Sequence, residues 1–220
     1  MRSRTLGAIA LLFVSAIVAG CATTRSEIKL SSAPAVTPLQ TTSGRAVVIR
    51  SVMDERVFEQ APGDPSTPSL GFEGALQASA EVKARAVARK RGGFGKAFGD
   101  VLLENGQTAA GLIQENLTTA FQQAGYRVAS EVAAGPGPLV VDVRIRQFWA
   151  WFQPGFWAIT LSANIETELE VSGASSPTSI KVHVEDSRQM ATEGAWLEIL
   201  EKALLAYRTQ AASQLSAPPF

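Results

Sequence analysis

Strict alternation of apolar and polar positions marks the second half of the chain. From 139 to 152, Leu139, Val141, Val143 and Ile145 face one way and Asp142, Arg144 and Arg146 the other. A period of two is the signature of a half-buried strand. Residues 156–171 repeat the pattern. Trp157, Ile159, Leu161, Ala163, Ile165, Leu169 and Val171 share a face opposite Ser162, Asn164, Glu166, Glu168 and Glu170. Residues 179–185 predict a third strand that buries Ile180, Val182 and Val184. An earlier β-branched run, 46–52, predicts a strand ended by Met53-Asp54-Glu55-Arg56. The period becomes helical in two places. Ala110, Ile113, Leu117, Ala120, Phe121 and Ala124 form one apolar stripe over 107–124, and Gly125 stands where a helix C′ residue belongs. Trp196, Ile199, Leu200, Ala203, Leu204 and Tyr207 form the second stripe, over 193–213.

Turn residues separate these elements. Residues 61–71 hold Pro62, Pro65 and Pro68 and read as a loop, and 133–138 read as a turn. A short strand is expected at 126–128. Over 77–91 two signals conflict. Ala78, Ala80, Val82, Ala84, Ala86 and Ala88 alternate with Ser79, Glu81, Lys83, Arg85, Val87 and Arg89, which predicts a strand, while alanine favours helix. The strand reading is preferred, with Gly92, Gly93 and Gly95 as a joint after it. The sum is an α+β fold, an antiparallel sheet of about four to five strands with two helices packed on one face.

Parity constrains the hairpin across Gln153-Pro154-Gly155. Both core faces are odd-numbered, so the loop must hold an odd number of residues or a bulge must intervene. Gly155 can supply the φ > 0 that a bulge at the turn would need. Arg144 and Arg146 should then lie near Asn164 and the glutamates.

The N-terminus follows a different logic. Arg2 and Arg4 precede an apolar run over 6–18, too short to span a bilayer as an ordinary helix of about 20 residues. Val18-Ala19-Gly20-Cys21 comes next and resembles a lipobox, the site read by bacterial lipoprotein-processing enzymes. That resemblance implies a signal peptide over 1–20 and a Cys21 that carries fatty acyl chains, palmitate among them, as the link to a membrane. Under the enterobacterial sorting rule, Ala22 implies the outer membrane, facing the periplasm. Residues 21–44, with Pro34 and Pro38, read as the lipidated end and an extended tether. A single domain over 45–215 and a tail over 216–220 follow.

Composition narrows the chemistry. The chain has 220 residues, 46% hydrophobic and 18% charged, with 20 basic and 20 acidic residues. Loss of Arg2 and Arg4 with the leader leaves 18 basic against 20 acidic, a net charge of −2. Such a balance gives no global attraction to nucleic acid. Cys21 is the only cysteine and His183 the only histidine. An internal disulfide and a multi-cysteine metal site are therefore excluded, and a catalytic histidine could only be His183.

Val52-Met53-Asp54-Glu55-Arg56 resembles the V-x-D-x-R signature of YajG-type lipoproteins. The stretches Asp100-Val101-Leu102-Leu103, Gly106-Gln107-Thr108 and Ala124-Gly125-Tyr126-Arg127-Val128, and the aromatic turn from Phe148 to Trp157, are similar to theirs. The resemblance covers most of 45–210. It implies an envelope lipoprotein and supplies no activity, because that family has no established biochemistry.

The aromatic turn is the leading candidate for contact. Trp149, Trp151 and Trp157 fall within nine residues, interleaved with Phe148, Phe152 and Phe156. Residues of both parities cannot all enter one core. Trp149, Trp151, Phe152, Phe156 and Trp157 are the candidate contact surface, set against burial of the tip under the tether or 77–99. The bases Lys83, Arg85, Arg89, Lys90, Arg91 and Lys96 could meet lipid headgroups, and a solvated face is the simpler reading. Gly92-Gly93-Phe94-Gly95-Lys96 fails as a phosphate loop, since Lys90 and Ala97 stand where Gly and Ser/Thr are needed. Asp54 and Arg56 are expected to form an ion pair at a strand end. His183 is expected on a strand surface near Glu168 or Glu185. No catalytic group, metal site or cofactor is expected. The expected role is a non-enzymatic accessory or assembly protein with the membrane and an envelope protein as partners. The alternative is a module that binds lipid or another hydrophobic ligand in association with a transport system.

Overall fold

The computed structural model describes residues 25–34, 44–71, 74–91 and 97–216. The signal peptide, Val18, Ala19, Gly20, Cys21, the glycine joint and the end of the tail lie outside them. In chain order the elements are β1 (Ser26–Ile28), β2 (Ala46–Asp54), α1 (Gly74–Gln77), α2 (Ala80–Arg85), β3 (Ala86–Arg91), β4 (Ala97–Leu103), α3 (Ala109–Gln123), β5 (Arg127–Val128), β6 (Leu139–Pro154), β7 (Ile159–Val171), β8 (Thr178–Arg188) and α4 (Glu193–Leu215).

All eight strands belong to one sheet, organised around β6. One edge of β6 pairs antiparallel with β7 from Val141 to Pro154, and β7 pairs antiparallel with β8. This is the expected meander. The other edge of β6 is shared. Parallel β2 occupies it from Leu139 to Ile145, and parallel β3 meets it higher up, Ala88 opposite Ala150. β4 runs antiparallel to β3, β1 lies parallel to β4, and β5 parallel to β2. The sheet is therefore mixed and larger than the antiparallel sheet of four to five strands expected. Parallel neighbours are joined by long connections, so alternation within each strand carries no sign of their direction.

The helices end where local chemistry stops them. Thr108 caps α3 by accepting from the Gly111 amide at 3.1 Å, and Thr192 caps α4 through the Ala195 amide at 3.2 Å. At the other end of α3, Gly125 has φ +90°. Tyr126 N–H donates to Phe121 and Gly125 N–H to Gln122, and the Phe121 and Tyr126 rings meet edge to face at 5.6 Å. This is a Schellman stop with its apolar contact. Both helices pack on one sheet face, as expected. Ile113, Leu117 and Phe121 of α3 and Trp196, Ile199, Leu200, Leu204 and Tyr207 of α4 share the main core with Val141, Val143, Ile145, Leu161 and Ile165. Tyr207 and Thr167 share a buried hydroxyl hydrogen bond of 2.8 Å, and burial raises the Tyr207 phenol pKa.

The parity problem is solved at Arg146. Below it Ile145 opposes Thr167, above it Gln147 opposes Glu166, and Arg146 is the extra residue of a bulge. The helix-facing set of β6 changes from odd to even there: Leu139, Val141, Val143 and Ile145 below, Phe148, Ala150 and Phe152 above. The turn itself is a four-residue loop from Gly155 to Ala158, closing the Pro154–Ile159 pair. The expected bulge at Gly155 is thus corrected. Glycine is needed there for closeness, since a Cβ would meet the Ala158 carbonyl oxygen. Trp157, expected on the core face of β7, lies in this loop.

Two other expectations change. Residues 77–91 split into α2 and β3. Period two contains period four, and Val82 of α2 packs on one apolar cluster with Ala78 just before the helix and Ala86 just after it. Ser79 caps the helix through the Val82 amide. The tether expected over 21–44 is ordered where described. β1 is part of the sheet, Ile28 and Leu30 are in the core, and Gln107 bonds both backbone groups of Leu30, at 3.0 and 2.7 Å.

Deletion of Arg146 should remove the bulge and turn Trp149 and Trp151 towards the helices. Loss on the order of 5 kcal/mol is expected from the mispacked core, read as a collapsed thermal transition and lost near-ultraviolet tryptophan dichroism. An unchanged transition would show that the bulge does not set the faces.

Candidate functional site

The change of face at Arg146 divides the aromatic turn into three groups. Phe148 and Phe152 pack on the helix side, Phe152 lying 6.5 Å from the Trp196 ring. Trp149 and Trp151 point to the opposite face, where they are 1% and 7% exposed. There they form a second apolar cluster with Leu70, Ala78, Ala86 and Leu102, flanked by Phe58 and Val82. Trp149 Nε1 donates to the Pro65 carbonyl at 3.2 Å and its ring meets Phe58 edge to face at 6.0 Å. Phe156 and Trp157 form the third group. They are 89% and 85% exposed and stacked edge to face on each other at 4.8 Å. Of the five residues expected as a contact surface, Phe156 and Trp157 alone are exposed. Trp149 and Trp151 are interior packing and Phe152 is half-buried; the loop after β2 covers Trp149, and the His183 ring lies 5.9 Å from that of Trp151.

The end of the sheet that carries this turn also carries a crevice of about 410 Å³. Phe98, Phe152, Ile159, Met190 and Trp196 supply apolar walls, with Lys90 and Arg91 among the other lining residues. The indole Nε1 of Trp196 is buried with no hydrogen-bond partner among the described residues. Met190, just past β8, is 69% exposed. Sequence reading missed the crevice, since its walls come from four separate segments.

Asp54 and Arg56 form the expected ion pair, and Arg56 does more. Its side chain is fully buried. Nε and Nη2 hold the Asp54 carboxylate at 2.8 and 2.7 Å, Nη1 donates to the carbonyls of Ala86 and Phe148 at 2.6 and 3.0 Å, and Nη2 donates to Lys83 at 2.8 Å. The guanidinium lies 5.2 Å from the Phe58 ring centre. One cation therefore joins the end of β2, the α2–β3 junction and β6.

The other polar candidates take structural roles. Arg85 reaches the Leu103 carbonyl at 2.9 Å and pairs with Glu27. Arg89 and Arg91 both donate to Ser69 Oγ at 3.2 Å, and Arg91 also reaches the Pro62 carbonyl. Burial lowers the Arg89 pKa, opposed by the charge of Asp100. Asp100 is itself buried, bound by the Gly71 amide at 2.7 Å and by Arg25 at 3.2 Å. Lys96 lies outside the described residues. His183 is half-exposed on β8, its Nδ1 2.6 Å from Asn164 and its Nε2 3.0 Å from Glu185. Arg146 bridges Glu168 and Glu55, and Arg144 pairs with Glu170. Asn164 bonds Gln147 and His183 and does not join these arginines. On the same face Arg50 and then Ser51 hold the Asp142 carboxyl below its ordinary pKa. Among the described residues no group of three or more His, Cys, Asp or Glu could hold a metal, and no helix is long and apolar enough to cross a membrane.

β1 was not read from sequence, although Glu27 and Lys29 alternate with Ile28 and Leu30. Three residues of strand before a proline-containing run are too few to separate from a linker.

No family model matches the chain, and no curated protein matches it. Eleven chains of solved structure do. Protein XCC0632 from Xanthomonas campestris, of the DUF330 family, is similar at 14% identity with a TM-score of 0.47, over 88% of this chain and 95% of that one. The lipoprotein GNA1162 from Neisseria meningitidis is similar at 13% identity with a TM-score of 0.22, over 74% of this chain and 96% of that one.

Replacing Arg56 by Ala should cost about 3 kcal/mol in urea unfolding, because Asp54 and three carbonyls lose their donor together. Arg56→Lys keeps the charge without the fork and should recover only part of that loss. Full recovery by lysine would mean that charge alone matters.

Proposed function

We propose that this chain is a bacterial envelope lipoprotein, held by acyl chains on Cys21 at the outer membrane facing the periplasm, that acts by binding. The observation that carries this reading is the lipobox-like run Val18-Ala19-Gly20-Cys21 behind an apolar leader, with the only cysteine of the chain at the position that lipidation needs. Lipidation consumes that thiol, which removes cysteine from any catalytic scheme. The resemblance to YajG-type lipoproteins favours the same reading. The contact surface is the exposed pair Phe156 and Trp157, since large apolar side chains left in water by a fold that buries their neighbours are the ones available to another surface. Intact-mass analysis of the chain from a Gram-negative host should find Cys21 as the first residue, carrying diacylglycerol and an amino-terminal acyl group. Cys21→Ser should abolish this mass. A free Cys21 thiol in the mature chain would overturn the reading.

The crevice beside Trp196 favours a second reading, a module for a hydrophobic ligand. Its volume lies within the range of small-molecule sites, roughly 300–1,000 Å³, and its walls are aromatic and aliphatic. Trp196 Nε1, without a partner among the described residues, is a donor a ligand oxygen could use. Native mass spectrometry of the mature chain with added phospholipid should then show a one-to-one adduct, lost on Ala191→Trp. An adduct-free mass at all concentrations removes this reading.

A further inference from the structure

The direction of β1 fixes which end of the fold the anchor leaves from. β1 is parallel to β4, β4 is antiparallel to β3, and β3 is parallel to β6. The chain in β1 therefore runs away from the end that carries the β6–β7 turn, and what precedes β1 lies on the turn side. The register gives the height. Ser26 pairs with Val101, Val101 with Ala88, and Ala88 with Ala150. Ser26 thus stands in the row of Ala150, four residues short of Pro154, or ~13 Å along the strand. Arg25 is held there by Asp100 at 3.2 Å. Cys21 is five residues before Ser26, and five residues span at most ~17 Å. The chain enters β1 from the end that carries the Phe156–Trp157 turn, and the reach from Ser26 to Cys21 is long enough to include the height of that turn. Met190 belongs to that end too, because Arg188 just before it pairs with Ile159.

We propose that the Phe156–Trp157 turn is a second membrane contact, seated in the headgroup layer of the phospholipid surface that holds Cys21. This rests on the lipid anchor proposed above. The occupant is a bilayer because a link of at most ~17 Å keeps this end of the sheet close to one. A protein partner would have to fit between the turn and a membrane whose attachment point lies within ~17 Å of Ser26. The chemistry agrees. Trp and Phe are the side chains that settle at a membrane–water interface, where the rings lose water and the indole N–H keeps a polar partner. The two rings pack edge to face on a four-residue turn closed tightly at Gly155, so they present one apolar tip. Met190 adds an apolar side chain beside it. The protein stands on the membrane by this end, with its opposite end turned away.

Trp157 makes the test direct, because the other three tryptophans, Trp149, Trp151 and Trp196, are buried. The lipidated mature chain is placed in vesicles of phosphatidylethanolamine and phosphatidylglycerol that contain brominated phospholipid. Tryptophan emission should shift to the blue and be quenched by bromine, and iodide quenching should fall by roughly threefold or more as Trp157 leaves water. Trp157→Phe should remove both changes while leaving the near-ultraviolet dichroism of the buried tryptophans. If the acyl groups are present by mass and Trp157 stays fully open to iodide and unquenched by bromine, the membrane contact is overturned and the anchor stands. If the acyl groups are absent, the anchor reading fails. The turn is then decided by the mature chain made without them. Vesicle binding that Phe156→Ser and Trp157→Ser weaken by about tenfold supports the contact, and no binding overturns it. Shielding of Trp157 in envelope extracts that persists in detergent, without bromine quenching in vesicles, identifies a protein partner and also overturns it.

Discussion

The guanidinium of Arg56 is buried where three segments meet, and each of its donors has an acceptor. An isolated arginine there would be costly to desolvate. Its bidentate hold on Asp54 neutralises it, and the carbonyls of Lys83, Ala86 and Phe148 take the remaining N–H groups. The geometry has a topological effect. β2 leaves β6 at Glu55, whose amide still donates to Ile145 at 3.1 Å. Above that point the edge of β6 needs another partner. Arg56 holds the end of α2 so that the chain turns into β3 and takes over the same edge. With β3 come β4 and β1, so three of the eight strands depend on this junction. Phe58 then stacks between the guanidinium and Trp149, which carries the same constraint into the second core.

The bulge at Arg146 is the complementary device. Below it one face of the sheet is covered by α3 and α4 and the other is solvated. Above it both faces are covered. A strand with uninterrupted parity would have carried its odd positions on the helix side into the upper half, facing Trp149 and Trp151 into the main core. One extra residue turns them outward, under the loop that Arg56 anchors. The two features depend on each other, since the bulge presents Trp149 to the loop and the loop, held by Arg56, covers it.

These two features also mark where the sequence stops being readable. The three long strands, α3 and α4 follow from periodicity because each buries one side of one element, and the cap of α3 follows from Gly125. Parity even demanded a bulge or an odd loop in the hairpin. It did not say where, because the extra residue is an ordinary arginine, and glycine at 155 offered a false address. The direction of β2 against β6 and the continuation of β6's edge by β3 depend on pairings such as Val47–Leu139 and Ala88–Ala150, far apart in sequence, and no local pattern records them. The α2 helix was hidden because its apolar spacing of four is also a spacing of two. The candidate surface was legible as a cluster of aromatics, and its division into buried and exposed members was not, since that depends on the bulge.

Losing the tether changes the physical picture of the protein more than any of these. A free segment of some twenty residues would leave the orientation of the domain unspecified, and every exposed patch would be equally able to meet a partner. A chain that is already a strand at Ser26 has four residues between Cys21 and the sheet. With Cys21 lipidated as proposed, orientation is set by covalent reach. Under the proposed anchor and turn contact, the lower face of β6, β7 and β8, laced by the pairs Arg144–Glu170, Arg146–Glu168 and Lys181–Glu166, is the part turned away from the lipid. Charged rows of this kind lose much of their hydration if pressed against hydrocarbon, whereas Phe156 and Trp157 lose nothing by the same approach. The polarity of the two ends therefore agrees with the direction in which β1 enters the sheet, although backbone pairing determines one and side-chain exposure the other.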